Sequence, residues 1–337
     1  MSRFFAWKAT EFAPLARIGR VVPVAVALFA AGPTLAADPN VVVTIKPIHS
    51  LVASVMAGVG TPHLLVDGAA SPHTFTLKPS GAKAIQAADV FIRVSEHLEP
   101  FTRRVVEALP QTVKVLSLAD ASGVTVLPQR TGDTFEKHSH GAEGHDDHDH
   151  DHDAHDDHDD DAGAVKDGHI WLDPANAKAI VAAVTAQLSA AYPDHAAAFA
   201  KNAEAVTAKL DALTSELQTQ LAGVKGKPFI VFHDATQYFE SRFGLAAAGS
   251  VTISPDAQPS AKRLTAVRKK ISGLSAACVF AEPGFQPKLV AAVTDGTSAR
   301  SGTLDPEGAL LTPGPALYFD LMHTLATNMT ACLGPAS

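Results

Sequence analysis

The chain has 337 residues, 46% of them hydrophobic, and a formal net charge of -8. That length holds two domains of ordinary size and that apolar fraction supplies a core for each, which excludes a chain disordered throughout. The acidic balance argues against nucleic acid and anionic lipid as partners and suits a cation.

Residues 1–37 combine a basic stretch ending at Arg20, an apolar run over 21–31 and small residues around Ala36 and Ala37. This is the layout of a secretory signal, and it predicts a mature chain starting near Ala37 or Asp38 in an oxidising periplasm. The apolar run is short for a bilayer span, and no later segment offers 18 uninterrupted apolar residues, so a soluble protein is expected, and a monomeric one is assumed. The two cysteines, Cys278 and Cys332, lie too late to carry the lipid of a lipoprotein signal, and in an oxidising compartment they read as one disulfide.

From residue 38 onward, short β-branched runs alternate with helical patterns, the signal for βα units and mainly parallel sheets. Strands are predicted at 41–46, 63–66, 90–94 and 113–118, and helices at 48–57, 79–88 and 98–109. Over 131–165 the apolar periodicity stops and His and Asp dominate. His138, His140, His145, His148, His150, His152, His155 and His158 all fall there, half of the sixteen histidines in the chain. Such a stretch cannot bury a core, so a disordered insertion is expected. Imidazole and carboxylate together suit Zn²⁺, with Cu²⁺ and Ni²⁺ as competitors, and a loop of this kind reads as a collector with several weak, exchangeable metal sites.

A further helix opens at Pro174. Beyond it, Asp194 is the expected N-cap of a long helix over 193–223, with Phe199, Val206, Leu210, Leu213, Leu217 and Leu221 on one face and Gly223 at its end. Some 28 helical residues would run about 42 Å at 1.5 Å per residue. The second half repeats the first: strands at 229–232, 247–253, 278–281 and just before Thr303, and helices at 236–243, 259–271, 287–294 and 316–331. The predicted fold is two α/β lobes, 38–192 and 224–337, of mainly parallel sheets with flanking helices, joined by one long stiff helix.

In open α/β sheets ligands bind in the crevice at the carboxyl ends of the strands. Four metal-capable side chains sit at such places. His73 hangs from the loop after the second strand, His169 precedes the helix at Pro174, His233 directly follows the apolar run 229–232, and Asp305 follows the last strand. Three imidazoles and one carboxylate can close a tetrahedron around Zn²⁺, two ligands from each lobe. A closed site of that kind leaves no position for an activated water, which favours binding over catalysis. His49, His63, His97, His195 and His323 match no ligand motif and read as ordinary surface or strand-end residues, although His49 follows the first strand and faces the same crevice edge. Glu282 ends a strand and reads either as an acceptor orienting a ligating imidazole or as a salt-bridge partner. Trp171 and Phe75 read as packing around a dry site. No Gly-x-Ser-x-Gly elbow accompanies the serines, so a hydrolase triad has no support.

Several longer motifs carry a resemblance. They are Asp-Gly-Ala-Ala-Ser-Pro-His-Thr-Phe-Thr-Leu-Lys-Pro-Ser at 67–80, the His-rich insertion followed by His-Ile-Trp-Leu-Asp-Pro at 169–174, and Val-Phe-His-Asp-Ala at 231–235. Cys-Val-Phe-Ala-Glu-Pro at 278–283 and Gly-Thr-Leu-Asp-Pro at 302–306 complete the set. In these the chain resembles the ZnuA-type zinc-binding proteins of bacterial ABC transporters, in the metal-binding cluster of solute-binding proteins, over essentially the whole mature sequence. The resemblance implies pseudo-symmetric lobes on a rigid helix, a metal buried between them, and no enzymatic activity. It implies His73, His169 and His233 as ligands, Asp305 as the carboxylate often found fourth, and a Cys278–Cys332 pair. Relatives that carry Mn²⁺ place a carboxylate where this chain has His233, and imidazole there moves preference toward zinc. Some zinc relatives have Glu directly before the first histidine, where this chain has Pro72, so the fourth position is left to Asp305 or water. The implied function is capture of Zn²⁺ and delivery to a membrane-embedded ABC permease. A periplasmic zinc chaperone or a metal-dependent adhesin is the alternative, with a zinc hydrolase behind both.

Overall fold

In the computed structural model of the protein, the described residues are 1, 2, 5–8, 10, 38–130, 134, 135, 165–252, 258–285 and 287–335. The described residues among 1–35 form no helix or strand, and 36–337 make one unit. Most of the predicted signal, and the eight histidines from His138 to His158, lie outside the described residues.

The first lobe is a four-stranded sheet of β1 (Val41–Val43), β2 (His63–Leu64), β3 (Val90–Arg93) and β4 (Lys114–Ser117), in the order β2-β1-β3-β4. All its pairings are parallel, as crossover helices require. Helices α1 (Lys46–Val55), α2 (Pro79–Ala87) and α3 (Arg103–Glu107) belong to it, and α4 (Pro174–Ala191) completes it after the His-rich insertion. The second lobe repeats the plan. Strands β5 (Phe229–Val231), β6 (Ala247–Ser250), β7 (Cys278–Ala281) and β8 (Arg300–Thr303) run in the order β6-β5-β7-β8, again all parallel. Its helices are α6 (Gln237–Phe243), α7 (Ala261–Leu274), α8 (Pro287–Thr294) and α9 (Leu317–Leu333). The central strands β1 and β5 are wholly buried, which is why they read as unbroken apolar runs.

Between the lobes runs α5 (Ala196–Leu221), about 39 Å long at 1.5 Å per residue. Its buried residues are the predicted six, Phe199, Val206, Leu210, Leu213, Leu217 and Leu221. The predicted start is corrected. Asp194 does not cap the helix; it sits in a 3-10 turn, Pro193–His195, that feeds directly into α5, and no side chain caps the junction. A matching turn, Ala222–Val224, extends the other end. The predicted helix over 98–109 also breaks, into a 3-10 turn at Pro100–Thr102 followed by the short α3.

α5 packs against α1 and α4 of the first lobe and α9 of the second. A single apolar cluster extends from Val41 and Ile48 through Trp171 and the α5 stripe to Tyr318 and Met329, so both lobes share one core. Two smaller clusters fill the outer faces of the sheets. The Cys278–Cys332 disulfide is formed and ties β7 to the end of α9, with Cα atoms 6.1 Å apart.

The expectation that all of 131–165 lacks fixed structure is also corrected. Thr134 is buried against β6: its carbonyl accepts from Ser250 N at 3.1 Å and Arg263 Nη2 at 3.0 Å, and its hydroxyl donates to Ala248 O at 3.0 Å. A Cβ at position 249 would lie 2.7 Å from that of Thr134, so this approach requires Gly249. Arg130 stacks on the ring of Phe135, 4.3 Å from its centroid. At the far end of the tract, Val165 O accepts from Gln129 N at 2.8 Å and Asp167 N donates to Leu127 O at 2.9 Å.

Candidate metal centre

His233 follows β5, and Glu282 follows β7, the strand beside it. In the order β6-β5-β7-β8 the chain leaves β5 for one side and returns on the other, so the gap between the ends of β5 and β7 is the switch point where such sheets bind ligands. Glu282 Oε2 accepts from His233 Nδ1 at 2.5 Å, both groups buried. Glu282 therefore orients the imidazole, one of the two roles open to it in the sequence.

His169 is held in the same way from the other lobe. It sits between the strand-like pairing of 165–167 with 127–129 and a 3-10 turn, Ile170–Leu172, that enters α4. Asp173 caps α4, accepting from Ala175 N at 2.8 Å, with Pro174 in the first turn. Asp167 Oδ1 accepts from the His169 ring Nδ1 at 2.7 Å and from its backbone N at 3.0 Å. Gly168 is needed between them, because a Cβ there would come within 2.8 Å of Leu98. The sequence reading missed Asp167; its signal was an acid two residues before a candidate ligand.

His73 arrives on the turn after β2, where its N–H donates to Ser71 Oγ at 3.3 Å. Its ring centroid lies 5.4 Å from that of His169 and 5.9 Å from that of His233, and the latter two are 5.3 Å apart. One nitrogen from each of the three rings can be chosen so that all lie within 4.8 Å of one another. His169 and His233 approach through Nε2, at 3.4 Å. With each Nδ1 aimed at a carboxylate, the tautomer that donates from Nδ1 turns an Nε2 lone pair toward the other ring. Two such lone pairs at that distance would both reach a cation placed between them. A tetrahedral Zn²⁺ with Zn–N of about 2.0–2.1 Å sets its ligand atoms about 3.3–3.4 Å apart, the spacing seen.

The structure does not bring Asp305 into this three-histidine group. Asp305 Oδ1 accepts from Ala309 N at 2.9 Å and Oδ2 from Leu310 N at 3.2 Å, while Lys46 Nζ donates to Ala309 O at 3.0 Å and Leu311 O at 3.2 Å. Asp305 does line a narrow crevice with His233, Glu282 and Glu307. Only part of Glu307 remains accessible, and desolvation pushes its carboxyl up to about 8, with Glu282 and Asp305 adding to the rise and His169 opposing it.

The rim is tied across the lobes. Arg130 bridges Asp234, next to His233, and Glu240, whose Oε2 lies 2.6 Å from Nη1. Tyr238 donates to Asp167 O at 2.7 Å and Trp171 Nε1 to Pro306 O at 2.9 Å. Trp171 is fully buried, 5.3 Å from the His169 ring, and Phe75 packs on Phe101 at 5.0 Å. A cavity of about 190 Å³ leads to the three histidines, and exposed His97, set aside in the sequence, is in its wall. His49, read from the sequence as a surface or strand-end residue, follows β1 and is not at the surface. It is buried in α1, its Nε2 is 3.0 Å from Pro62 O, and burial lowers its pKa.

The family model for ZnuA, the periplasmic component A of a zinc-uptake complex, matches residues 41–332. The chain belongs to the ZnuA family. It is 48% identical over 314 residues to the high-affinity zinc uptake system protein ZnuA of Brucella abortus, covering 90% of this chain and 94% of that one. The protein of the same name from Paracoccus denitrificans is 37% identical, over 90% of this chain and 95% of that one. Among solved structures, a mutant of the laminin-binding adhesin Lmb of Streptococcus agalactiae shares the fold, with a TM-score of 0.67 at 23% identity over 87% of this chain and 98% of that chain. Like other ZnuA members, this chain is thus part of a transport component, and among its described residues no helix is long and apolar enough to cross a membrane.

Proposed function

We propose that the protein captures Zn²⁺ in the periplasm through His73, His169 and His233 and delivers it to an ABC-type permease in the membrane. The observation that carries this reading is the pair of Nε2 atoms 3.4 Å apart, each on a ring whose Nδ1 is fixed by a buried carboxylate. Carboxylate–histidine pairs of this kind fix the tautomer and raise the basicity of a metal ligand. An all-nitrogen trio suits zinc over the harder, oxygen-seeking ions. The fourth position goes to Asp305 or to water; Asp305 would have to exchange a backbone hydrogen bond for the ion. The role is one of binding, with the ion as cargo. Membership of a family of zinc-uptake components, and relatives named for high-affinity zinc uptake, support the same direction.

Zinc titration against a competing chelator tests the reading. One tight site is expected in the intact chain, and His73→Ala should weaken it by about 100-fold or more, the loss of one of few metal ligands. Unchanged affinity in that variant would remove His73 from the site. In cells, loss of the protein should lower total zinc and stop growth in chelated medium, whereas loss of a periplasmic chaperone would leave total zinc unchanged.

A further inference from the structure

A second cleft, of about 400 Å³, opens at the carboxyl ends of β3 and β4, with Arg93, Ser95, His97, Ser117, Asp120 and Lys166 in its walls. It shares His97 and residues 165–168 with the cavity above the three histidines, so the two spaces adjoin.

Its polar lining sets the donors Arg93, Ser95, Ser117 and Lys166 against the carboxylates Glu96, Asp120 and Asp167. Half-buried Arg93 gives Nε to Ser117 Oγ at 3.0 Å and Nη1 to Thr102 Oγ1 at 2.9 Å, and among the described residues no carboxylate reaches it within ion-pair distance. Buried Glu99 acts on it only through space, its Oε2 already taken by the N–H groups of Val94 at 2.8 Å and Ser95 at 3.0 Å. Ser117 Oγ accepts from Arg93 and Ser95 Oγ accepts from Leu98 N at 3.2 Å, so each hydroxyl keeps its own hydrogen for an outside acceptor. Lys166 is exposed and pairs with no acid among the described residues. Three acids share the wall: Glu96, paired with Arg103 at 3.3 Å, buried Asp167, which accepts from His169, and exposed Asp120, so a carboxylate is held at the Arg93, Ser117 and Lys166 side of the cleft. A guanidinium held in place by hydroxyls is pre-organised for a carboxylate.

We propose that this cleft binds the carboxylate of a small zinc chelator, an α-amino acid of the histidine type, so that the ion arrives as a chelate. Arg93, Ser117 and Lys166 hold the carboxylate, and His97, on the shared wall, takes the ion from the chelator's nitrogens as it moves toward the three histidines. Only metal–ligand bonds are exchanged. The proposal rests on the metal-site reading above.

The test uses the zinc-free full chain and two preformed chelates. L-histidine and histamine both hold zinc through an amine and an imidazole nitrogen, but histamine has no carboxylate. Native mass spectrometry should show a protein–zinc–histidine complex about ten-fold more abundant than its histamine counterpart, the scale of one charge-assisted hydrogen bond. Arg93→Gln, and separately Lys166→Gln on the exposed wall, should cut the histidine complex to the histamine level while loading from zinc chloride alone is unchanged. Equal retention of the two chelators, or retention of neither while zinc loads, overturns the proposal. If zinc chloride alone fails to load, the metal-site reading falls first and takes this one with it.

Discussion

Each of the two buried imidazoles is steered from behind by a carboxylate of its own lobe, Asp167 for His169 and Glu282 for His233. Removing the negative charge while keeping the shape isolates that effect. Glu282→Gln and Asp167→Asn should each weaken zinc binding by about 10- to 100-fold, read by chelator competition. Full affinity in both variants would show that the carboxylates only fill space. The three clustered histidines were legible in the sequence, since His73 and His233 follow strand signals and His169 precedes a helix start. Asp167 and the burial of His49 were not, because a side chain's partner depends on how segments pack, which local pattern does not encode. Glu99 gives a separate prediction. Desolvation raises its carboxyl from 4.5 to about 7, against the pull of the Val94 and Ser95 N–H groups. Between those values the unfolded chain is ionised there and the folded chain holds the proton, so stability falls as pH rises through this window, by roughly 3 kcal/mol at most. Glu99→Gln should flatten that part of the curve of melting temperature between pH 5 and 7.5; an unchanged slope would assign it to other groups.

At the level of helices and strands, nearly every element fell where the periodicity placed it, with ends shifted by a few residues. The differences have local causes. Pro100 disfavours the helical conformation for the residue before it, and Glu99 sits at φ -123°, ψ 67°, so the pattern over 98–109 starts at Pro100 with a 3-10 turn and turns α-helical at Arg103. Likewise Pro193 begins a tight turn that makes an Asp194 cap unnecessary. Thr134 was invisible because a two-residue anchor has no period; its signal lay elsewhere, in the bare Cα of Gly249 that receives it. The disulfide, foreseen from compartment and number, closes a span of 54 residues between β7 and α9. In the chain-entropy description its loss costs about 4 kcal/mol. Cys278→Ser with Cys332→Ser should therefore lower the melting temperature by several degrees while leaving zinc affinity near that of the parent, since neither cysteine touches the three histidines. A large drop in affinity would mean that β7 needs the bond to aim Glu282.

For the molecule as a whole, the expected division of labour between one tight site and a His-rich tract has a direct test. Deleting residues 138–158 should remove the weak, exchangeable zinc ions counted by equilibrium dialysis and leave the tight one. Retention of the full stoichiometry would contradict the collector role. The deletion leaves both described flanks in place, Thr134 on β6 of the second lobe and Val165–Asp167 paired with 127–129 of the first.

The brace formed by α5 has a mechanical consequence. A jawed receptor with a free hinge swings shut on its cargo, and that swing tells the recipient that the jaws are full. Here the rod is welded to α1 and α4 on one jaw and to α9 on the other by a continuous apolar seam. Prying them apart would tear that seam, so fullness has to be announced by small displacements at the lip. The stretch after Asp305, with Leu310 standing 76% in solvent and its backbone gripped by Lys46 from the opposite jaw, is where such an announcement would be written.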